Sequence, residues 1–213
     1  MRVLALSGLL FLSFVGAGCS HATRVRPTPV GTYELEAAVG GPMVEVGPVI
    51  PAPMSSVGLR YGIHPRGDIG AHLHITTQVF GVTGGDLDTS WRINNQDGWL
   101  LQLTAGARLY GFNKDGFTRE YLELSPNVSW LYREHYLTYI SATGLVQFHG
   151  GPVLFSAAAG EELRLGRFSL QAELRWYEPD YATRFVVVDW QPILGQGGWG
   201  VILAASYRFG GGA

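Results

Sequence analysis

Two histidines, His72 and His74, are spaced so that both side chains would point to the same side of a β-strand. Neutral imidazoles two residues apart could supply two ligands to a metal ion. No cysteine or glutamate lies near enough in the sequence to complete a ligand set, and Asp68 falls at the far end of the same segment. We therefore interpret the pair as part of a polar wall, and we expect no metal and no other cofactor.

Other charged residues also occur at alternate positions, which predicts that they share the inner face of a barrel. A narrow interior would force such opposite charges into a hydrogen-bonded plug, although a conducting pore would also be lined with charges. Because side chains mostly fill the lumen of a small barrel, we favour the plug. The predicted lumen charge network comprises Glu34, Glu36, Arg60, His72, His74, Arg108, Glu123, Glu173 and Arg175.

The elements that must position these charges are β-strands, because apolar residues occur at every second position after Gly31. In residues 170–176, for example, Leu, Ala, Leu and Trp alternate with Gln, Glu and Arg. Three segments fit less well. The alternation changes phase near Ile140, Glu161 falls on an apolar face, where we expect a bulge or a strand end, and residues 184–190 form only a short β-branched run. The predicted strands cover residues 33–39, 57–63, 69–79, 99–109, 122–130, 136–148, 153–164, 170–176, 184–190 and 199–209.

Short glycine-rich and proline-rich turns join most of these strands, which implies antiparallel hairpins. The fold class is therefore all-β, and we predict an antiparallel up-and-down transmembrane β-barrel of ten strands, with eight as the alternative. Two longer connections, residues 41–54 and 81–97, are predicted to be outer loops.

Several features favour a membrane barrel over a soluble one. The longer apolar stripes suit strands of about 9–11 residues across a bilayer, and aromatic residues such as Tyr110 and Trp130 fall near strand ends, as in interfacial girdles. Tyr207, Arg208 and Phe209 resemble the Tyr-x-Phe end of the last strand in bacterial outer-membrane proteins, although Gly-Gly-Gly-Ala follows here. Residues 31–209 resemble small outer-membrane barrels without matching a specific family. This resemblance implies a location in the bacterial outer membrane.

The N-terminal residues predict export. Arg2 is followed by an apolar run and by small residues before Cys19, which is typical of a secretory signal peptide over residues 1–18. The small residues before this lone cysteine resemble the lipobox of bacterial lipoproteins, although Gly16 stands where leucine is usual. The resemblance implies a covalent lipid on Cys19, with residues 19–30 as a lipidated N-terminus and periplasmic tether and 31–213 as the barrel domain. Ordinary cleavage near Gly18 is the alternative.

The sequence points to a non-catalytic barrel with a structural, adhesive or narrow-channel role. One alternative is a lipid-anchored soluble barrel, similar to lipocalins, that binds an apolar ligand. A second is an outer-membrane hydrolase acting on lipid or peptide, because Asp86 and Asp88 resemble the acidic pair of omptin-type proteases, but the Asp-x-His partner of that family is missing. The predicted partners are outer-membrane lipid and the lipid on Cys19. Net charge is −2 and no basic run occurs, so we expect no nucleic acid.

Overall fold

The computed structural model describes residues 21–45, 48–148, 150–178 and 196–211. One short helix, α1 (Ile75–Val79), interrupts a succession of strands within these ranges. The strands are β1 (Thr32–Glu45), β2 (Val49–Pro51), β3 (Met54–His64), β4 (Gly67–His74), β5 (Thr83–Arg92), β6 (Gln102–Lys114), β7 (Phe117–Tyr132), β8 (Tyr136–Gln147), β9 (Leu154–Leu165), β10 (Phe168–Tyr177) and β11 (Gly198–Gly210).

Ten of these described strands, all except β2, form a closed antiparallel barrel in which each strand pairs with its neighbours in sequence. The barrel closes at β1, where Glu34 lies opposite Arg60 of β3 on one side and Arg208 of β11 on the other. Closure leaves no long row of unpaired backbone groups, whereas an open sheet would expose such an edge to the hydrocarbon of a bilayer. The predicted fold class and the count of ten strands are therefore confirmed.

The two ends of the barrel differ. Thr32 and Gly210 lie together at one end, here named the terminal end, which has tight turns at 65–66, 133–135 and 166–167. The opposite end, here named the loop end, carries most of the longer described connections, such as residues 75–82 between β4 and β5. Bacterial barrels have short periplasmic turns and long extracellular loops, which places the terminal end in the periplasm.

Apolar side chains face outward and ionic side chains face inward. On β10, Leu170 is 44% and Leu174 is 52% exposed, whereas Glu173 is 2% and Arg175 is 4% exposed. A soluble barrel would bury the first pair in its core and expose the second to water. The observed orientation is that of a membrane barrel with lipid outside, and it sets the soluble lipocalin-like alternative aside. Within the described ranges, no helix is long and apolar enough to span a membrane.

The lipid-facing surface can be tested at Leu124, which lies in the middle of β7 and is exposed. We expect Leu124→Arg to lower the free energy of unfolding by about 2–4 kcal/mol, because a guanidinium at the bilayer midplane must be removed from water. Leu165→Arg, at the terminal end of β9, should cost only about 0–1 kcal/mol because it reaches the interface. Urea unfolding in liposomes measures both variants. Equal costs at the two depths would contradict the membrane orientation.

The prediction of an outer loop over residues 81–97 was wrong, because β5 occupies Thr83–Arg92. This strand was hidden because Leu87 and Trp91 are its only large apolar outward residues, while Asp86 and Asp88 face inward. Because the predicted set lacked β5, the strands that follow it run in the direction opposite to the predicted one. The turn at 166–167 therefore lies at the terminal end. The strand predicted over 184–190 lies outside the described residues.

Three smaller predictions also differ from the structure. β4 ends at His74, where the Thr77 hydroxyl donates to the His74 carbonyl oxygen (2.9 Å) and a helical turn begins. β8 keeps one register through Ile140, and the apparent change of phase arises because two apolar residues after Tyr136 face inward. β9 continues past Glu161 without a bulge, because that outward carboxylate accepts hydrogen bonds from Tyr132 and Thr138.

Candidate functional site

The barrel interior is a continuous ionic network, which forms because neighbouring strands place inward residues at the same level. Arg60 of β3 lies opposite Glu34, His72 of β4 opposite Asp86, and Arg108 of β6 opposite both Asp88 and Glu123. The strands contribute seven carboxylates and three guanidiniums to this lumen network. They are Glu34, Glu36, Asp68, Asp86, Asp88, Glu123 and Glu173, with Arg60, Arg108 and Arg175.

Arg60 is the most enclosed of these cations, with a side chain that is fully buried. Its Nη1 donates to Asp68 (3.0 Å), its Nε donates to Glu36 (3.2 Å), and its Nη2 contacts the Asp88 carboxylate. Gly70 lies beside this cluster, and a Cβ at that position would collide with Asp88. The glycine therefore makes the room that the large side chains around it require.

Arg108 of β6 binds two acidic residues of the neighbouring strand β5. Its Nη1 donates to Asp86 (3.0 Å) and its Nη2 donates to Asp88 (3.3 Å). Two guanidiniums thus share Asp88, and charge-assisted hydrogen bonds of this kind are stronger than neutral ones. Asp86 and Asp88 are therefore buried ion-pair partners inside the barrel, and not residues of an outer loop as the sequence had predicted.

His72 and His74 join this acidic pair from β4. His72 Nδ1 lies 2.9 Å from Asp86 and its Nε2 lies 2.7 Å from Glu36, while His74 Nε2 lies 2.9 Å from Asp86. His72, Asp86 and Asp88 offer ligand atoms within 4.8 Å of one another, which is compatible with a metal ion. Both carboxylates already bind arginine, so a cation would have to compete with two guanidiniums.

A second part of the network lies on the opposite wall. Arg175 Nε donates to Glu173 (2.8 Å), and the Tyr139 hydroxyl donates to the same carboxylate (2.8 Å). Nearer the loop end, the Tyr110 hydroxyl donates to Glu123 (2.7 Å). The sequence had predicted Tyr110 in an interfacial girdle, but the side chain faces the lumen and is only 2% exposed.

The most unexpected feature is the segment of residues 21–30, here named the lumen segment, which runs inside the barrel. Arg24 Nη1 donates to Glu36 (2.9 Å) and its Nη2 donates to Glu34 (3.0 Å). The Thr28 backbone N–H donates to Asp68 (2.6 Å), and the Thr23 backbone N–H donates to Glu173 (2.8 Å). Residues from both walls of the lumen therefore hold the segment.

The lumen segment also makes an apolar contact with β8. Val25 packs against Leu137 and Tyr139, which are the inward residues behind the apparent phase change in β8. A second apolar cluster closes part of the loop end and consists of Val82, Tyr110, Phe112, Tyr121 and Leu145, with Leu154 packed against it. The ionic network is thus bounded by packed apolar side chains, which strengthens its electrostatic interactions by excluding water.

Residues 21–30 had been predicted to form a periplasmic tether, and the structure places them in the lumen instead. The physical reason is charge, because the lumen network carries seven carboxylates against three guanidiniums and Arg24 supplies a fourth cation. Wall side chains also satisfy the backbone of the segment: Gln171 donates to the Thr23 carbonyl oxygen and Asn127 to that of Arg24, each at 2.9 Å. Without such partners, the unpaired backbone would be costly to bury.

His21 marks how far the lumen segment penetrates. Its Nε2 lies 3.2 Å from Glu123, and its ring packs near Tyr110 in the half of the barrel towards the loop end. Burial lowers the pKa of His21, and the Arg108 guanidinium lowers it further, while Glu123 acts in the opposite direction. A neutral imidazole is therefore favoured at pH 7, so His21 does not add to the cations that hold the segment.

The structure places all nine residues of the predicted network on the inward face. Hydrogen bonds to residues that the sequence analysis missed connect them to one another. Those missed residues fall into two groups, one on strands and one on the lumen segment. The sequence carried no clear signal for the second group, because the predicted inner face had four acids against three arginines and two histidines, and the acidic excess appears only when Asp68, Asp86 and Asp88 are added. The missed residues are Asp68, Asp86, Asp88, Tyr110 and Tyr139 on strands, with His21, Thr23 and Arg24 on the lumen segment.

No protein-family model and no curated protein sequence matches this chain. Among solved structures, an outer membrane channel from Pseudomonas putida F1 is similar over 89% of this chain and 100% of its own, at 10% identity and a TM-score of 0.53. The translocator domain of autotransporter NalP from Neisseria meningitidis matches over 98% and 96%, at 10% identity and a TM-score of 0.43. At these identities, the similarity to the channel concerns the fold alone.

The closed antiparallel barrel, the apolar outer belt and the ionic lumen together define a class. The chain is a bacterial outer-membrane β-barrel protein, and its location is the outer membrane.

Proposed function

We propose that this protein is a non-catalytic outer-membrane barrel with a closed lumen and a structural or adhesive role. The observation that carries the proposal is the pairing of Arg24 with Glu34 and Glu36, which fixes residues 21–30 across the lumen. An open pore needs a continuous water path, whereas here a peptide segment and its partners occupy the interior. Asp86 and Asp88, the acids that had suggested a hydrolase, are bound to arginines inside the barrel.

An adhesive role would use the loop end. The described connections there include the hairpin of β2 with the end of β1 and the turn that contains α1. Loops on a rigid scaffold are the usual site of recognition, because they vary without disturbing the fold. The barrel would then serve mainly to fix these loops at the cell surface.

A narrow, gated channel is the second candidate, and one observation favours it. Side chains supply most of the contacts that hold the lumen segment, and the described strands pair with it only through a single bridge between Val30 and Gly62. The segment could leave the lumen without breaking the barrel's own hydrogen-bonded ladders. Its departure would open a path lined by the carboxylates that Arg24 now neutralises.

The proposed lipid on Cys19 would affect whether the lumen segment keeps the barrel closed or leaves it open as a channel. Cys19 is two residues from His21, a span of about 7 Å at most, and His21 lies inside the barrel. A lipid on Cys19 that reached the periplasmic leaflet would pull this part of the segment back towards the terminal end. We therefore propose that periplasmic anchoring and full insertion of the segment are alternative states, and mass spectrometry of the mature N-terminus would show whether the lipid is present.

Electrical recording tests the proposed closure. We expect the whole protein, reconstituted into a planar lipid bilayer, to show no steady conductance, because the lumen segment blocks the water path. A porin reconstituted in parallel controls for successful insertion, and heat-modifiable migration on gels checks that the barrel is folded. Steady ohmic steps from the whole protein would contradict the closed barrel and would favour the channel.

A further inference from the structure

A cavity of about 360 Å³ opens between the lumen segment and the barrel wall at the terminal end. It is lined by five arginines and by only two acidic residues. The arginines are Arg24, Arg26, Arg92, Arg164 and Arg208, and the acidic residues are Glu34 and Glu162. We name this cavity the arginine vestibule.

Both acidic residues are already paired with arginines of the same cavity. Glu34 accepts from Arg24 (3.0 Å), and Glu162 accepts from Arg164 (2.8 Å). Arg26, Arg92 and Arg208 therefore remain as an excess of positive charge, because none of them forms a salt bridge within the described residues. The last of these lies on β11, beside the point where the barrel closes.

Among the described residues, the three excess arginines donate hydrogen bonds only to neutral groups. Arg26 donates to the Ser129 hydroxyl (3.2 Å) and to the Gln96 side-chain carbonyl (2.6 Å). Arg92 donates through Nη2 to the Pro65 carbonyl oxygen (2.7 Å), and Arg208 donates to the Gly166 carbonyl oxygen (3.2 Å). The Nε of Arg92 is buried without a hydrogen-bond partner.

The arginines of the vestibule repel one another. Burial lowers the pKa of Arg26 to about 10, and the nearby guanidiniums of Arg164 and Arg92 contribute to that decrease against the opposing effect of Glu162. Gathering like charges in a partly enclosed space is unfavourable unless a counter-charge enters it. A polyvalent anion would remove this repulsion and would give the unpartnered Arg92 Nε an acceptor.

We propose that the arginine vestibule is a binding site for a phosphate-type oxyanion. Guanidinium groups match the geometry of phosphate oxygens and form strong, directional hydrogen bonds with them. A volume of about 360 Å³ accommodates a phosphate group together with part of a small solute that carries it. The site goes beyond the structural role proposed above, and its wall residues do not depend on whether the loops bind a partner.

The same phosphate chemistry could come from a free solute in the periplasm or from an anionic lipid headgroup. The inward position of the arginines favours the free solute, because lipid surrounds only the outside of the barrel. Two experimental arms separate these sources: inorganic phosphate added to protein in an uncharged detergent, and lipid nanodiscs made with either phosphatidylglycerol or phosphatidylcholine.

Calorimetric titration of the whole protein with inorganic phosphate at low chloride concentration tests the site. We expect saturable binding that weakens by about tenfold or more in Arg92→Gln/Arg208→Gln, because two charge-assisted contacts are lost. Arg26→Gln should also weaken binding, which would show that the lumen segment contributes. The matched control is Arg167→Gln, which removes an exposed arginine from a turn at the same end and should leave binding unchanged.

The possible outcomes are distinct. Saturable phosphate binding that is lost only in the vestibule variants supports the site with a free anion as ligand. Thermal stabilisation by phosphatidylglycerol alone, again lost in Arg92→Gln/Arg208→Gln, supports the site with a lipid headgroup as ligand. Absence of both effects in the wild-type protein, or equal loss in Arg167→Gln, would overturn the proposal. Heat-modifiable migration shows that each variant is folded.

Discussion

Replacing Arg60 with methionine should lower the free energy of unfolding by about 3–5 kcal/mol, because it leaves buried carboxylates without their counter-charge. Arg60 is 1% exposed and binds Glu36, Asp68 and Asp88 at once. Methionine retains much of the length of the side chain but none of its hydrogen-bond donors. Urea unfolding of the reconstituted barrel, followed by tryptophan fluorescence, measures the change.

Two further variants test whether an uncompensated buried charge causes the loss of stability. Arg167→Met removes an exposed arginine and should change stability by less than about 0.5 kcal/mol. Adding Asp88→Asn to Arg60→Met should recover part of the lost stability, since one uncompensated buried charge is then removed. If Arg60→Met unfolded at the same urea concentration as Arg167→Met, the ionic network would not be the source of stability proposed here.

The sequence predicted the barrel because the physics of a lipid-facing strand leaves a periodic signal. On β10, every second residue must be apolar to meet hydrocarbon, and the residues between must be polar to pair inside the lumen. This requirement applies along the whole strand, so residues 170–176 alone show which positions share a face. The inward position of Glu173 and Arg175 followed from that pattern.

The sequence failed where the pattern was weak. β5 exposes Gly85 and Thr89 on its outer face, so only Leu87 and Trp91 carry the apolar signal. The inward apolar pair Leu137 and Tyr139 of β8 had the reverse effect, because these residues pack against the lumen segment rather than against lipid. In β8, contact with the lumen segment, and not with lipid, decides which residues are apolar.

The lumen segment could not be predicted from its own residues. Residues 21–30 contain two prolines and no apolar period, which is typical of a flexible linker. Their position depends on an acidic excess that arises only when the strands close and bring Glu34, Asp68 and Glu173 around one interior. Such long-range charge balance leaves no local mark in the sequence.

Removing the lumen segment should convert a silent barrel into a conducting one. A chain that begins at Gly31 lacks Arg24 and every other side chain of residues 21–30, and the space that they occupy becomes available to water. The lumen network and the wall of the arginine vestibule would then present eight carboxylates and six guanidiniums, so we expect the path to favour cations. Ion selectivity is measured from the reversal potential in a salt gradient.

A matched control retains the segment and fixes it in place. The hydroxyl oxygens of Thr23 and Ser141 lie 3.1 Å apart, so cysteines at these two positions should be close enough to form a disulfide. In a Cys19→Ser background, Thr23→Cys/Ser141→Cys should cross-link in the folded barrel and remain silent. Failure to cross-link under oxidising conditions would indicate that the segment does not occupy the lumen in a membrane.

The most direct test of the account is the conductance of the chain that begins at Gly31, recorded beside the whole protein in the same bilayer. If residues 21–30 close the lumen, the shortened barrel conducts in discrete, cation-selective steps while the whole protein remains silent. If both proteins conduct equally, or if the folded shortened barrel is as silent as the whole protein, closure by the lumen segment is contradicted.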